Sequence, residues 1–272
     1  MKKAIIIPIV TLLVLLLVVG CAAPVPETVV FPDENLEAVI RDALDKPEGD
    51  ITPAELAGLT MLNAERLRIT DLSGIEYCTD LSELDLYNNQ ISDISPLASL
   101  TNLTKLVLDN NQISDISPLS SLTNLETLWL EVNQISDISP LASLTSLTWL
   151  QLSFNQIDDF SPLSSLTSLE VLHLRNCQIN DISPLSSLTS LKILSLRKNK
   201  ISDISPLSSL TNLTYFNLAN NQISDISPLV ENSELSEGDR VLLEGNNLDL
   251  SEGSEDLENI RILEERGVRV DY

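Results

Sequence analysis

The 272-residue chain has little from which to build a catalytic or metal centre: one histidine, three cysteines and two tryptophans. A single imidazole, His173, excludes multi-histidine metal sites. Basic residues are also scarce, 16 against 40 acidic, for a formal net charge of −24. That sign disfavours nucleic acid and electrostatic adhesion to anionic lipid, because phosphate contacts need Lys and Arg. Its plain use is to keep a repetitive surface soluble. No carboxylate cluster has the spacing of an EF-hand or of a calcium-binding nonapeptide repeat, so neither metal nor cofactor is expected.

What the chain does have is repetition. Seven consecutive copies of one 22-residue unit fill residues 81–234, the first reading LSELDLYNNQISDISPLASLTN from Leu81 to Asn102. Self-similarity at this period with L-x-x-L-x-L-x-x-N-x-I spacing predicts a leucine-rich solenoid of α/β class. The segment around Leu84-Asp85-Leu86 is expected as a short strand, its leucines inward, stacking with its equivalents into one parallel sheet on the concave face. Asn89 recurs at Asn111, Asn133, Asn155, Asn199 and Asn221, where an amide can satisfy backbone groups of neighbouring coils. The Ser-Pro pairs, Ser95-Pro96 onward, predict a 3₁₀ or helical turn on the convex side with serine as N-cap. Cys177 replaces a ladder asparagine and Cys78 a buried leucine, equivalent to Leu100. Five coils separate them, about 24 Å at roughly 4.8 Å per strand, against the roughly 7 Å that a disulfide tolerates.

Ahead of the repeats, Lys2 and Lys3 precede an apolar run from Ile5 to Val19 interrupted only by Pro8 and Thr11. This reads as a signal peptide over residues 1–20, short for a membrane span. Val18-Val19-Gly20-Cys21 resembles the bacterial lipobox, with Val18 where leucine is usual. The resemblance implies that Cys21 is diacylated after cleavage and anchors the chain to a membrane without crossing it. An uncleaved anchor, or cleavage elsewhere without lipid, is the alternative. Residues 21–30 would form a short stiff tether.

A solenoid exposes apolar cross-sections at both ends and needs caps. In residues 31–58, Leu36, Val39, Ile40, Ala43 and Leu44 share one face of a helix capped by Asp33, and Thr52-Pro53-Ala54-Glu55 is a capping box. Residues 59–80 hold a degenerate first repeat, with Ile69, Asp71 and Leu72 in pattern, so the repeats run over 59–234. In residues 235–272, Val241, Leu243, Asn246 and Leu248 fit a last half-repeat, followed by a closing helix from Ser254 to Arg266, a stop at Gly267 and an extended end. The opening FPDENLEAVI, the entry ITDLSGIEYCTDLSELDL, the repeat NNQISDISPLASLTNL and the closing GDRVLLEGNNLDL and RGVRV resemble bacterial internalin-type leucine-rich repeat proteins over residues 31–272. The resemblance implies protein recognition by the concave face. The immunoglobulin-like module and wall anchor of internalins proper have no counterpart up to Tyr272, so host adhesion is not carried over.

With the leucines inward, the residues between them form columns across the concave face. The first runs Glu83, Lys105, Thr127, Trp149, Val171, Ile193, Tyr215; the second Asp85, Val107, Trp129, Gln151, His173, Ser195, Asn217; the third Tyr87, Asp109, Glu131, Ser153, Arg175, Arg197, Ala219. These are the positions where the copies differ most. Trp149, Val171, Ile193 and Tyr215 form an apolar stripe with Trp129 diagonal to it. Beside it, Arg175, Arg197 and Lys198 make a basic cluster near Asp109 and Glu131. An aromatic, apolar patch on an acidic surface points to a binding site. The expected function is therefore an extracytoplasmic, membrane-anchored module of the cell envelope that binds a partner protein, with Trp129, Trp149, Val171, His173, Arg175, Ile193, Arg197 and Tyr215 as contacts. The chain is expected to be monomeric. A self-associating envelope scaffold and, further off, glycan binding are the alternatives. Ser153 and Ser195 flank His173, but no oxyanion device or nucleophile elbow accompanies them, so no enzyme is expected.

Overall fold

The computed structural model describes residues 26–272; the segment read above as a signal peptide, Cys21 and most of the expected tether lie outside the described residues. Ten strands of three residues each pair in parallel, in chain order, into one sheet. They are β1 (Met61–Asn63), β2 (Glu83–Asp85), β3 (Lys105–Val107), β4 (Thr127–Trp129), β5 (Trp149–Gln151), β6 (Val171–His173), β7 (Ile193–Ser195), β8 (Tyr215–Asn217), β9 (Arg240–Leu242) and β10 (Arg269–Asp271). Every partner from β1 to β8 is 22 residues away, Leu84 on Leu106 on Leu128, so equivalent side chains stack in register.

The core is the sum of these repeats. In one coil Leu103, Leu106, Leu108, Ile113, Ile116, Leu119 and Leu122 are all buried, and the pattern recurs along the array. A lone coil of 22 residues could not enclose such a set. Stacking does, at roughly 2 kcal/mol for each aliphatic side chain taken out of water. The convex limbs are 3₁₀ turns at Ser95–Ser99, Ser117–Ser121, Ser139–Ser143, Ser161–Ser165, Ser183–Ser187 and Ser205–Ser209; the last such limb, α3 (Ser227–Glu231), is α-helical.

The asparagine ladder works as the spacing implies. Asn111 Oδ1 accepts from Ile91 N–H at 3.1 Å, and its Nδ2 donates to Leu86 and Leu108 carbonyls at 3.0 Å. Asn246 closes the series, donating to Leu218 and Leu243 carbonyls. One local expectation fails: the serine of Ser-Pro is not the N-cap. Ser95 is already the first residue of its turn, and its N–H donates to Asp93 Oδ1 at 2.8 Å. The capping oxygen thus comes from the aspartate two residues earlier, repeated at Asp115, Asp137, Asp159, Asp181, Asp203 and Asp225. The cause is the backbone path: Ser95 already lies inside the turn and Leu97 N–H is taken by the Ile94 carbonyl, so the free donor is Ser95 N–H, which Asp93 reaches.

At the N-terminal end, α1 (Glu34–Ala43) lays Leu36 and Ile40 on the core. Asp33 caps it through Asn35 and Leu36 N–H, and its second oxygen accepts from Thr70 N–H at 2.8 Å, tying the cap to the first coil. The second helix, α2 (Pro53–Ala57), opens with the full Thr52–Glu55 capping box. Val29, placed in the tether on sequence grounds, bridges Ile51 and is buried, so the folded unit begins before residue 31. It packs with Phe31 beside Gly74, whose φ of +101° and lack of a Cβ let the Phe31 ring close in. At the far end, α4 (Glu255–Glu265) covers the last coil with Ile260 and Leu263, and β10 completes the sheet.

Candidate functional site

The side chains between the inward leucines of β2–β8 form the outward surface of the sheet. Trp149 pairs with Val171, Val171 with Ile193 and Ile193 with Tyr215, so the apolar stripe is contiguous. Trp129 sits one strand back and one step across, and the two indoles lie 5.3 Å apart at 55°. That is a tilted aromatic pair of the kind that gains specific as well as area-dependent attraction. Trp149 is 37% exposed, while Trp129, Val171, His173, Arg175, Ile193, Arg197 and Tyr215 are all half-buried. None of these side chains points into the solenoid core.

The stacking also corrects part of the outward assignment. Val107, Asp109, Ser153 and Ala219 are buried, although their positions alternate outward. For Asp109 and Ser153 the reason is a free backbone donor. The ladder leaves Glu131 N–H and Arg175 N–H without a carbonyl, and they donate to Asp109 Oδ1 at 2.6 Å and Ser153 Oγ at 3.2 Å. Both side chains are structural linkers between coils, so Asp109 is not a free charge facing the basic cluster. Burial pushes its carboxyl up to about 7; the bond from Glu131 opposes this and the charges of Glu131 and Asp85 add to it. Glu131 is also raised by burial, against the pull of Arg175.

His173 Nδ1 lies 3.3 Å from Gln151 Oε1, and burial lowers its pKa, favouring the neutral imidazole. Ser153 Oγ accepts from Arg175 N–H, and the imidazole's one side-chain partner among the described residues is Gln151, so neither Ser153 nor Ser195 makes the serine–histidine bond of a nucleophile. Cys177 and Cys78 are buried thiols, raised to about 11 and about 12 chiefly by desolvation, which leaves them unreactive.

A fourth column escaped the sequence reading. The residue before each ladder position is left-handed: Asn88, Asn110, Val132, Phe154, Asn176, Lys198 and Asn220 have φ between +54° and +59°. Asparagine adopts this conformation readily; a β-branched or bulky side chain does so only at a cost. The recurring Asn-Asn pair was the legible signal. Val132 is 40% exposed, and the Phe154 ring lies 5.0 Å beneath the Arg175 guanidinium, a cation–π contact. The column therefore sets Phe154 against Arg175 and an exposed Val132 in the coil of Trp129.

Comparison with known proteins agrees with this architecture. A family model described as "Leucine Rich repeats (2 copies)" matches residues 58–99, 101–143, 145–187 and 189–231. Among solved structures, an internalin (inlF) from Listeria monocytogenes is 35% identical with a TM-score of 0.73, over 89% of this chain and 76% of that one. Internalin C2 of the same organism is 38% identical with a TM-score of 0.73, over 84% of this chain and all of the other. The leucine-rich ectodomain of an Arabidopsis thaliana membrane receptor kinase, solved in complex with CASPARIAN STRIP INTEGRITY FACTOR 2, is 25% identical with a TM-score of 0.59, and covers 72% of this chain but only 24% of that one. No curated protein sequence matches. Leucine-rich repeats and internalins serve generally as protein-interaction modules rather than as enzymes. By its repeats and by two internalin structures that align with most of its length, the chain belongs to the leucine-rich repeat family and is of the bacterial internalin type.

Proposed function

We propose that this protein is a lipid-anchored recognition module of the bacterial cell envelope that holds a partner protein on its concave face. The observation that carries the reading is where the copies differ. Inward leucines, ladder asparagines and Ser-Pro turns barely change from coil to coil, while the outward strand positions change at nearly every step. The result is a tryptophan pair, Trp149 exposed and Trp129 half-buried, continuing into Val171, Ile193 and Tyr215. A large aromatic patch on an otherwise acidic surface is the kind of surface that anchors a partner. Aliphatics interleaved with the aromatics suit protein better than sugar. Cys21, acylated after removal of residues 1–20, would hold the solenoid close to the lipid surface.

The test uses two variants of the full chain. Cys21→Ser should shift the protein from the membrane to the soluble fraction and abolish incorporation of a fatty-acid label. Trp129→Ala with Trp149→Ala should reduce capture of partner from envelope and culture medium by at least about tenfold, the loss of roughly 1.4 kcal/mol or more expected of aromatic anchors. Its unfolding temperature should barely move. Undiminished capture would end the concave-face reading; a large loss of stability would show that the tryptophans serve the core. Loss of concentration-dependent self-association in the same variant, with no foreign partner captured, would favour the scaffold reading.

A further inference from the structure

Building on the recognition role proposed above, we infer that the concave face accepts a carboxylate-bearing protein segment, with an apolar side chain seated on Trp129 and Trp149 and the acidic groups held by Arg175, Arg197 and Lys198. The hydrogen-bond census points there first. Among the described residues four buried side-chain polar atoms have no partner, and three are on this patch: Trp129 Nε1, Arg175 Nε and Arg197 Nε. All three are N–H donors. An unpaired buried donor is costly, and at these three atoms the described residues supply no acceptor.

The ion pairs of the sheet point the same way. Lys105 and Lys192 meet Glu83 and Glu170 of the preceding coil, and Arg240 meets Asp271. Arg175, Arg197 and Lys198 have no ion pair among the described residues, in a chain with 40 carboxylates. Arg175 is held on the Phe154 ring, and Glu131, the carboxylate that feels it, makes no salt bridge with it. A guanidinium stacked on a ring keeps its in-plane donors free for a bidentate carboxylate.

Left-handed backbone runs through these coils, as it does at Arg66, the equivalent position of the first coil, and at Arg68 and Gln178. Val132, Phe154 and Lys198 occupy left-handed positions where four other copies place asparagine. They keep that conformation at a cost to folding, and each lies beside a residue of the patch: Val132 three residues after Trp129, Phe154 under Arg175, Lys198 after Arg197. Strand spacing then sets the ligand's proportions. Arg175 and Arg197 follow Trp149 by one and two coils, about 5 and 10 Å across the strands, and stand four residues further along them, about 13 Å, for separations of roughly 14 and 16 Å. An extended segment advances roughly 3.4 Å per residue, so its apolar residue and its carboxylates should stand roughly four to five residues apart.

The chain's two tryptophans both lie in the site, so their emission reports occupancy. Panning a random, tryptophan-free peptide display library on the purified full chain should enrich sequences with Asp or Glu roughly four to five residues from a large apolar side chain. Those peptides should shift the tryptophan emission and bind more weakly as NaCl rises. Affinity should fall about tenfold, near 1.4 kcal/mol, when their acids are replaced by amides or when the protein carries Arg175→Gln with Arg197→Gln. Enrichment of basic or uncharged peptides, no enrichment at all, binding indifferent to the arginine variant, or a response to soluble oligosaccharides instead would each overturn the inference. The recognition role would survive all of these as long as capture of the natural partner still requires Trp129 and Trp149. If it does not, that role fails first.

Discussion

At position 177 the ladder of side-chain amides loses a rung. Cys177 Sγ donates to the Leu152 carbonyl at 3.3 Å, as Asn199 does to Leu174, but a thiol offers no acceptor comparable to an amide oxygen. Ile113 and Ile135 N–H each find an asparagine oxygen in the next coil, and Ile157 N–H finds none there. Ile157 is 6% exposed where Ile113 and Ile135 are fully buried, so the rung is looser. Cys177→Asn should therefore raise stability by about 1 kcal/mol, one neutral hydrogen bond, seen as a higher denaturant midpoint at unchanged slope. Asp109 gives a second residue-scale expectation. Its folded pKa stands near 7, above the roughly 3.9 of an unfolded aspartate. The folded state therefore holds the proton more tightly, and this contribution to stability is complete below about pH 4 and lost as pH rises through 7. Asp109→Asn keeps an oxygen for Glu131 N–H and removes the titration. Its unfolding temperature should fall less than that of the unaltered chain between about pH 4 and 7, and identical curves would refute the assignment.

Single elements were legible in the sequence to different degrees. The strand leucines, the ladder and the capping box of α2 follow from residue type and spacing alone, because each contact is local or repeats at a fixed step. Asp33 was readable as a helix cap, but not as a bond to Thr70, 37 residues on. The convex turns were readable as turns, while their capping oxygen was misassigned to serine. Both Asp93 and Ser95 suit a cap, and only the backbone path decides which side chain reaches the free N–H. The outward columns show the same limit. Alternation assigns a face to each residue but says nothing of what the next coil lays over it, and Val107, Asp109, Ser153 and Ala219 are covered. The strained column went unread because a positive φ leaves no mark in a sequence beyond a preference for asparagine.

For the whole molecule, repetition multiplies charge as well as core. The aspartates at 93, 115, 137, 159, 181, 203 and 225 stand one coil apart along the convex rim, each accepting a serine N–H, roughly 5 Å from the next. With a net charge of −24, their mutual repulsion opposes the stacked state. Raising NaCl from about 0.01 M to about 1 M shortens the Debye length from roughly 30 to 3 Å, so the melting temperature should rise. A fall would mean that attractive pairs such as Lys46–Glu55, whose lysine holds the Glu55 carboxyl down to about 2, outweigh the ladder.

The sequence by itself determined the solenoid, its period, its caps and the column in which Trp149, Val171, Ile193 and Tyr215 stand, since these depend on a step of 22 residues and on which side of a strand each residue falls. Tertiary structure alone decided which outward side chains remain available. That depends on the overlap of one coil with the next: it buries Asp109 and Ser153 on spare backbone donors, stacks Arg175 on Phe154, and leaves three N–H groups at Trp129, Arg175 and Arg197 without an acceptor among the described residues.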